Sequence, residues 1–221
     1  MKNQSYRSGF LGLHLVAGVI VFAAMTFTLG AISEDSRYRE PLTVADAQLS
    51  TWLHTHQTPL LTSAMFVVTS LGSSLIASCI AVVFGLYLIR RRRFYWLAAF
   101  LSSVYGGMLL NRILKYVFQR PRPHFDDPLL SLSSYSFPSG HTMTATVVFG
   151  VLAAYLFATT QNWRRRVVIV LVASFLILLV GFSRIYLGVH YLSDLLGAMA
   201  EGLAWLALCL TVVYSFWRRR H

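Results

Sequence analysis

The sequence predicts an all-α fold: a polytopic membrane helix bundle with six transmembrane helices. Composition is the first reason. Of 221 residues, 56% are hydrophobic and only 12% are charged, whereas soluble domains average about 45–50% apolar and about 25% charged. Apolar runs of roughly the 20 residues needed to cross a bilayer recur along the chain. Arginine blocks, Arg90–Arg93, Arg164–Arg166 and Arg218–Arg220, separate or end those runs. Lipid obliges backbone polar groups to pair within the chain, so helices are the spanning form. Residues 1–221 read as one membrane-embedded domain, with no internal repeat or low-complexity tract.

The first span is expected over Phe10–Ile32. It is too long for the apolar part of a signal peptide, about 7–15 residues, and so reads as uncleaved. The second covers Leu60–Ile89, long enough to tilt or to begin outside the lipid. The others run over Phe94–Phe118, Thr142–Thr160, Val167–Phe182 and Tyr191–Trp217. Tyr95, Trp96, Trp163 and Trp217 suit an interfacial belt or ordinary packing. Six spans place both termini on one side, together with Lys2, Arg7 and the arginine blocks. On the other side, segment 33–58 carries Glu34, Asp35, Glu40 and Asp46 against Arg37 and Arg39, and segment 119–141 carries Asp126 and Asp127. The positive-inside rule then puts the termini in the cytoplasm and these two segments outside, as in a bacterial inner membrane. Within the first of them, Leu42, Ala45, Leu49, Trp52 and Leu53 recur at helical spacing. They predict a short amphipathic helix on the outer interface, a connector or a substrate-side lid.

The net charge is +11. A basic balance can signal nucleic acid binding, but that requires a basic face on a folded domain. Here the arginines flank apolar runs, so the partner is the bilayer and no nucleic acid is expected. Cys79 and Cys209 both fall in apolar runs and read as packed small hydrophobes. His54, His56 and His124 read as solvated loop residues.

Charge near hydrocarbon is costly, so polar residues at the outer span ends carry the information. Lys115 and Arg122 bracket the end of the third span, where Pro121 and Pro123 should stop the helix and aim the guanidinium. Fixed cations without a nearby acid suit a phosphate, or snorkel to lipid headgroups. Pro138-Ser139-Gly140-His141 precedes the fourth span, which places free N–H groups at a helix N-terminus. His141 there can supply a proton, or the stretch is a plain N-cap loop. His190 and Asp194 are spaced i, i+4, one helix face, so the carboxylate can fix the imidazole tautomer and leave the other nitrogen as base or nucleophile. Arg184 lies near as another anion ligand with no obvious structural partner. The plainer reading is a His–Asp bond capping a helix. Together these groups supply what phosphoryl transfer needs: cations, a nucleophile and a leaving-group acid.

Lys115-x6-Arg122-Pro123, Pro138-Ser139-Gly140-His141 and Ser183-Arg184-x5-His190-x3-Asp194 resemble, in order and spacing, the three motifs of the type-2 phosphatidic acid phosphatase superfamily. The six-span pattern resembles the membrane branch of that family. The resemblance implies that His190 is the nucleophile, giving a phosphohistidine, and that Asp194 orients it. It implies that His141 protonates the departing oxygen and then activates water. It assigns Lys115, Arg122, Ser139, Gly140 and Arg184 to the phosphoryl oxygens, and needs no metal or other cofactor. The expected substrate is a lipid phosphate or pyrophosphate met at the outer face, undecaprenyl pyrophosphate first. A broad phosphatidic acid and phosphatidylglycerophosphate phosphatase is close behind, with a lipid phosphotransferase as a further option. A lipid transporter or scramblase is the non-enzymatic alternative, disfavoured because transport needs no oriented imidazole. Arg112 and Glu201 lie deeper and outside the motifs, where family members usually carry small or apolar residues near Glu201. An intramembrane Arg and Glu should pair, which predicts an Arg112–Glu201 ion pair.

Overall fold

A computed structural model describes residues 41–220. The expected span over Phe10–Ile32 lies outside the described residues. Among those described, all regular structure is helical. Helix α1 covers Pro41–Thr55. Helix α2, Pro59–Ser70, opens on a proline, whose missing N–H costs nothing in a first turn. Helix α3, Ser74–Arg90, is capped by Ser73, whose side chain accepts from the Ile76 N–H at 3.2 Å. Helix α4, Phe94–Phe118, contains a π-helical turn at Ser102–Gly106. It ends at Gln119, in the left-handed conformation at φ 50°, and Pro121 and Pro123 keep the chain from resuming the helix. Helix α5 covers Gly140–Thr159. Helix α6, Trp163–Tyr186, starts at Asn162, whose side chain accepts from the Arg165 N–H at 3.2 Å. Gly188, at φ +70°, then turns the chain into helix α7, Leu192–Arg220.

Among the described residues, four stretches are long and apolar enough to cross a membrane: α4, α5, α6 and Leu192–Ser215 of α7. Helices α2 and α3 make a fifth if taken as one span, bent by 46°. The bend breaks the long span expected over Leu60–Ile89, whose length tilting or a start outside the lipid would take up. Its cause is visible at Gly72. A Cβ there would sit 2.6 Å from the His141 carbonyl oxygen and 2.7 Å from Val180 Cγ1. Only a residue without a side chain lets the break rest against the start of α5.

Helix α5 is central and packs on α6, α7, α4 and α3. Phe100 and Val104 of α4, Met143, Val147, Val148 and Val151 of α5, and Ala198 and Leu206 of α7 form the buried core. Large apolar side chains such as Val83, Leu109, Ile113, Leu171 and Phe175 face outward. In lipid that exposure carries no hydrophobic penalty, so these faces need no further protein to cover them. Cys209 is buried, while Cys79 faces out with the lipid-side residues.

The helix order sorts the polar residues to opposite ends of the bundle. The arginine blocks lie at the α3–α4 turn, the α5–α6 turn and the end of α7. Helix α1, the start of α2, loop 119–139 and loop 187–191 collect at the other end. A second apolar cluster there, Leu53, Met65, Ile185, Tyr186, Leu187, Val189 and Leu195, joins α1 and α2 to the ends of α6 and α7. The Gln57 side chain donates to the Tyr186 carbonyl at 2.7 Å, and the Thr58 N–H donates to the Tyr186 hydroxyl at 3.0 Å.

Helix α1 is helical as its periodicity predicts, but only part of the expected apolar face is buried: Leu53 is, with Leu49 packed against its cluster. Trp52 is 56% exposed and Ala45 is exposed, while Asp46, Ser50 and Leu53 point inward. The inward stripe is polar because it meets polar groups of the site described below, so α1 is more than a connector. His54 also departs from expectation. It is a helix residue stacked on Phe125 with ring centroids 4.0 Å apart, and its Nε2 lies 2.9 Å from Asp127 Oδ1. It thereby ties loop 119–139 to α1. His56 and His124 are exposed.

Candidate active site

His190 lies in the short loop before α7, with Asp194 in the first turn of that helix. The two do not share a helix face, as the i, i+4 spacing predicts, because the helix begins only at Leu192. The loop nonetheless folds the ring back, and His190 Nδ1 lies 3.2 Å from Asp194 Oδ2. The other ring nitrogen, Nε2, lies 3.2 Å from Arg122 Nη1. Arg122 only donates, so Nε2 is the acceptor and the ring proton resides on Nδ1, facing the carboxylate. His190 is 2% exposed. Burial first, then Arg122 and Arg184, pull its pKa down to about 3 against the opposing pull of Asp194. The imidazole is therefore neutral at physiological pH, with a lone pair on Nε2.

The Asp194 carboxylate is held from all sides. Oδ2 accepts from the Tyr191 N–H at 2.9 Å and from the Ser136 hydroxyl, besides His190. Oδ1 accepts from Arg120 Nη1 at 2.7 Å. Arg120 also reaches Asp46 Oδ2 through Nη2 at 2.9 Å and the Ser193 hydroxyl through Nη1 at 2.6 Å.

Loop 119–139 supplies Arg122, whose position follows from the end of α4. The guanidinium donates from Nε to the Ser134 carbonyl (2.7 Å) and from Nη1 to the Val189 carbonyl (2.7 Å). Nη2 donates to the Ser134 hydroxyl (2.9 Å) and the Tyr135 carbonyl (3.1 Å). With His190 as the fifth acceptor, every N–H of Arg122 is engaged. Lys115, in the last turn of α4, donates to the carbonyls of Tyr135 at 2.6 Å and Ser136 at 3.1 Å.

Ser139 is the N-cap residue of α5, and its N–H donates to the Asp194 carbonyl at 3.2 Å. Gly140 and His141 form the first turn, at the positive end of the helix dipole. Gly140 packs closely on α4, where an added Cβ would lie 3.2 Å from Asn111 Oδ1. Lys115, Arg122 and Arg184 all lie near enough to act electrostatically on His141. Arg184 is 3% exposed, donates from Nη1 to Thr69 Oγ1 at 2.8 Å, and keeps a buried Nε without a partner among the described residues. Thr69, just before the α2–α3 break, is the structural partner that the sequence does not reveal.

The eight residues singled out by sequence thus converge from α4, loop 119–139, α5, α6, loop 187–191 and the start of α7. The Arg112–Glu201 pair does not form. Glu201 Oε2 accepts instead from Asn111 Nδ2 at 2.8 Å, while Arg112 is exposed. The reason is helical geometry: Asn111 is four residues before Lys115 and shares its inward face, and Arg112 is turned about 100° away. The motifs do not mark Asn111, Asp46, Ser136 or Ser193, and they give Arg120 no role beyond a further cation. Asp46 was visible as an acid inside an amphipathic pattern, and Arg120 as a second arginine in the Pro-bounded run. No group of three or more His, Cys, Asp or Glu side chains able to hold a metal gathers among the described residues.

Fold and site together define a class: a membrane-spanning helical bundle with an imidazole–carboxylate pair and several cations at one end, chemistry suited to phosphoric esters. The chain belongs to the PAP2 superfamily, whose family model matches residues 96–218, more than half its length. It is 37% identical over 147 residues to phosphatidylglycerophosphatase B of Bacillus subtilis, covering 66% of this chain and 71% of that one. It is 35% identical over 131 residues to a lipid A 1-phosphatase of Rhizobium johnstonii, covering 54% of this chain and 49% of that one. The crystal structure of a transmembrane PAP2-type phosphatidylglycerolphosphate phosphatase from Bacillus subtilis superposes with a TM-score of 0.76 at 30% identity, over 92% of this chain and 97% of that one. Aquifex aeolicus LpxE shares the fold, with a TM-score of 0.59 at 22% identity over 75% of this chain and 94% of the other. The protein is a multi-pass membrane phosphatase of this superfamily.

Proposed function

We propose that the protein hydrolyses a lipid phosphate or pyrophosphate at the outer face of a bacterial inner membrane, through a phosphohistidine on His190. The observation that carries this reading is the orientation of one buried ring, with Nδ1 on Asp194 and Nε2 turned to Arg122. The Nε2 lone pair forms a bond to phosphorus as the bond to the lipid oxygen breaks. Protonated His141 gives its proton to that oxygen. Water then surrenders a proton to His141 and attacks phosphorus, the N–P bond breaks, and inorganic phosphate leaves. Asp194 steadies the positive charge that grows on His190. Lys115, Arg122 and Arg184, with Ser139 and the Gly140 N–H, receive the phosphoryl oxygens. No step calls for a metal or other cofactor.

On this reading residues 1–221 form one domain with six spans, Phe10–Ile32 supplying the sixth, and both termini are cytoplasmic. Undecaprenyl pyrophosphate is the first candidate substrate, because an external site suits a carrier lipid released there. Phosphatidylglycerophosphate or phosphatidic acid is the second, supported by the phosphatidylglycerophosphatase relative. The test is release of inorganic phosphate by purified protein in detergent with EDTA, across prenyl and glycerolipid phosphates. His190→Ala should abolish release. Undiminished release in that variant, or a need for added divalent metal, would overturn the mechanism.

A further inference from the structure

The site extends past the residues of the three motifs. Arg120 is 9% exposed and Asp46 1% exposed, and neither is required by the mechanism above. Asp46 Oδ1 accepts from the Ser193 N–H at 3.0 Å, and Oδ2 accepts from Arg120 at 2.9 Å and from the Ser193 hydroxyl. Arg120 in turn grips Asp194 Oδ1 at 2.7 Å, on the side away from His190. Its guanidinium also lies over the Tyr191 ring, 4.5 Å from the centroid. Three elements distant in sequence, α1, loop 119–139 and the start of α7, thus meet in one network beside the Asp194 carboxylate.

A buried ion-pair network is weak evidence for stability, because desolvation offsets most of the attraction. It is better suited to fixing geometry. A carboxylate bonded only through Oδ2 can rotate about its χ angles. With Oδ1 bonded to a guanidinium that is itself held by Asp46, Asp194 is fixed at both oxygens, and Oδ2 stays turned to His190, the Tyr191 N–H and the Ser136 hydroxyl. We infer that Arg120 and Asp46 are positioning residues: they act through Asp194 to hold the nucleophilic imidazole, and make α1 part of the catalytic apparatus. The inference rests on the assignment of His190 as nucleophile.

The test compares Arg120→Gln, Arg120→Lys, Asp46→Asn, the double variant Asp46→Asn/Arg120→Gln, and His190→Ala, each as full-length protein in detergent. The readouts are kcat and KM for a lipid phosphate, with thermal unfolding as the check on folding. Arg120→Gln should lower kcat on the order of 10–100-fold, the usual range for groups that orient a reactive ligand from behind, with KM within about threefold. Arg120→Lys should recover part of the loss, since a single ammonium can serve one carboxylate but not fork between two. Asp46→Asn should fall between wild type and Arg120→Gln, and the double variant should match Arg120→Gln, because Asp46 acts through Arg120. If Arg120→Gln does not fold, Arg120→Lys and Asp46→Asn give the same kcat-against-KM split. A rise in KM at constant kcat would make Arg120 a direct substrate ligand and overturn the inference. So would wild-type kcat in folded variants while His190→Ala is dead, which leaves the nucleophile assignment standing. An active His190→Ala overturns both.

Discussion

Replacing Asp194 by Asn separates the charge of this residue from its shape. Four donors converge on the two carboxylate oxygens: the Tyr191 N–H, the Ser136 hydroxyl, His190 Nδ1–H and Arg120. An amide has only one acceptor oxygen. If the oxygen faces Arg120, the NH₂ group faces His190 and selects the tautomer protonated on Nε2, which removes the attacking lone pair. If it faces His190, the NH₂ group opposes Arg120. In either case the charge opposite the ring is gone. As Nε2 bonds to phosphorus the imidazole becomes cationic. A carboxylate about 4 Å from that charge is worth about 4 kcal/mol at an effective dielectric of about 20. At about 1.4 kcal/mol per tenfold in rate, this is about 10³-fold in kcat. The assay is phosphate release under saturating substrate, with acid-quench and base-quench trapping of the phosphoenzyme, since a phosphohistidine survives base and not acid. Asp194→Asn should accumulate no phosphoenzyme and lose about 10³-fold in kcat, a figure set by the same Coulomb argument. A folded Asp194→Asn enzyme within tenfold of wild type would falsify the role given to this carboxylate.

The protonation of His190 has a second consequence. Its folded pKa of about 3 lies below the ordinary value of 6.5, so the unfolded chain binds the proton more tightly. The corresponding stability is fully present above about pH 6.5 and is lost as pH falls toward 3. Thermal unfolding followed from pH 7.5 to 4.5 should show this decline, and His190→Gln should flatten it. Asn111→Leu should destabilise by about 1–3 kcal/mol, because it removes the Nδ2 donor that the buried Glu201 carboxyl accepts from. Glu201→Gln, which keeps an acceptor for Asn111, should stay within about 1 kcal/mol; equal losses for the two in detergent melts would refute this account. Gly72→Ala should lower the melting temperature, by the equivalent of about 1–3 kcal/mol of overpacking, and reduce kcat together with it, because the methyl group pushes on the His141 backbone. Unchanged activity would mean that the bend does not set the position of α5.

The last four expected spans and the helix ends at the motifs are legible in the sequence because both follow local rules. Apolar length marks a crossing, and a proline or glycine marks the point where a helix must stop. The end of α4 before Pro121 and the start of α5 at Gly140 both lie where those rules put them. What stayed hidden depends on partners distant in the chain. The i, i+4 rule brought His190 and Asp194 together but missed that His190 precedes the helix, a matter of where the loop after Gly188 ends. The periodicity of α1 identified the helix and its buried Leu53, but not the polar Asp46 and Ser50 beside it, because that stripe is shaped by Arg120 while lipid removes the penalty on an exposed Trp52. Charge pairing by type favoured Arg112 for Glu201, while the helix rotation selected Asn111. The bend at Gly72 has no cue except the glycine itself, since its reason lies on α5 and α6.

The complete engagement of Arg122 bears on turnover. A phosphoryl oxygen arriving at Nη1 exchanges one acceptor for another and does not relieve an unsatisfied cation. The net gain on docking is therefore smaller than a count of contacts suggests. On the proposed mechanism the same exchange runs backward after hydrolysis: with orthophosphate gone, the Val189, Ser134 and Tyr135 oxygens and the regenerated imidazole would reclaim the fork. A cleft that must clear a small, highly charged product gains from donors that have somewhere else to go.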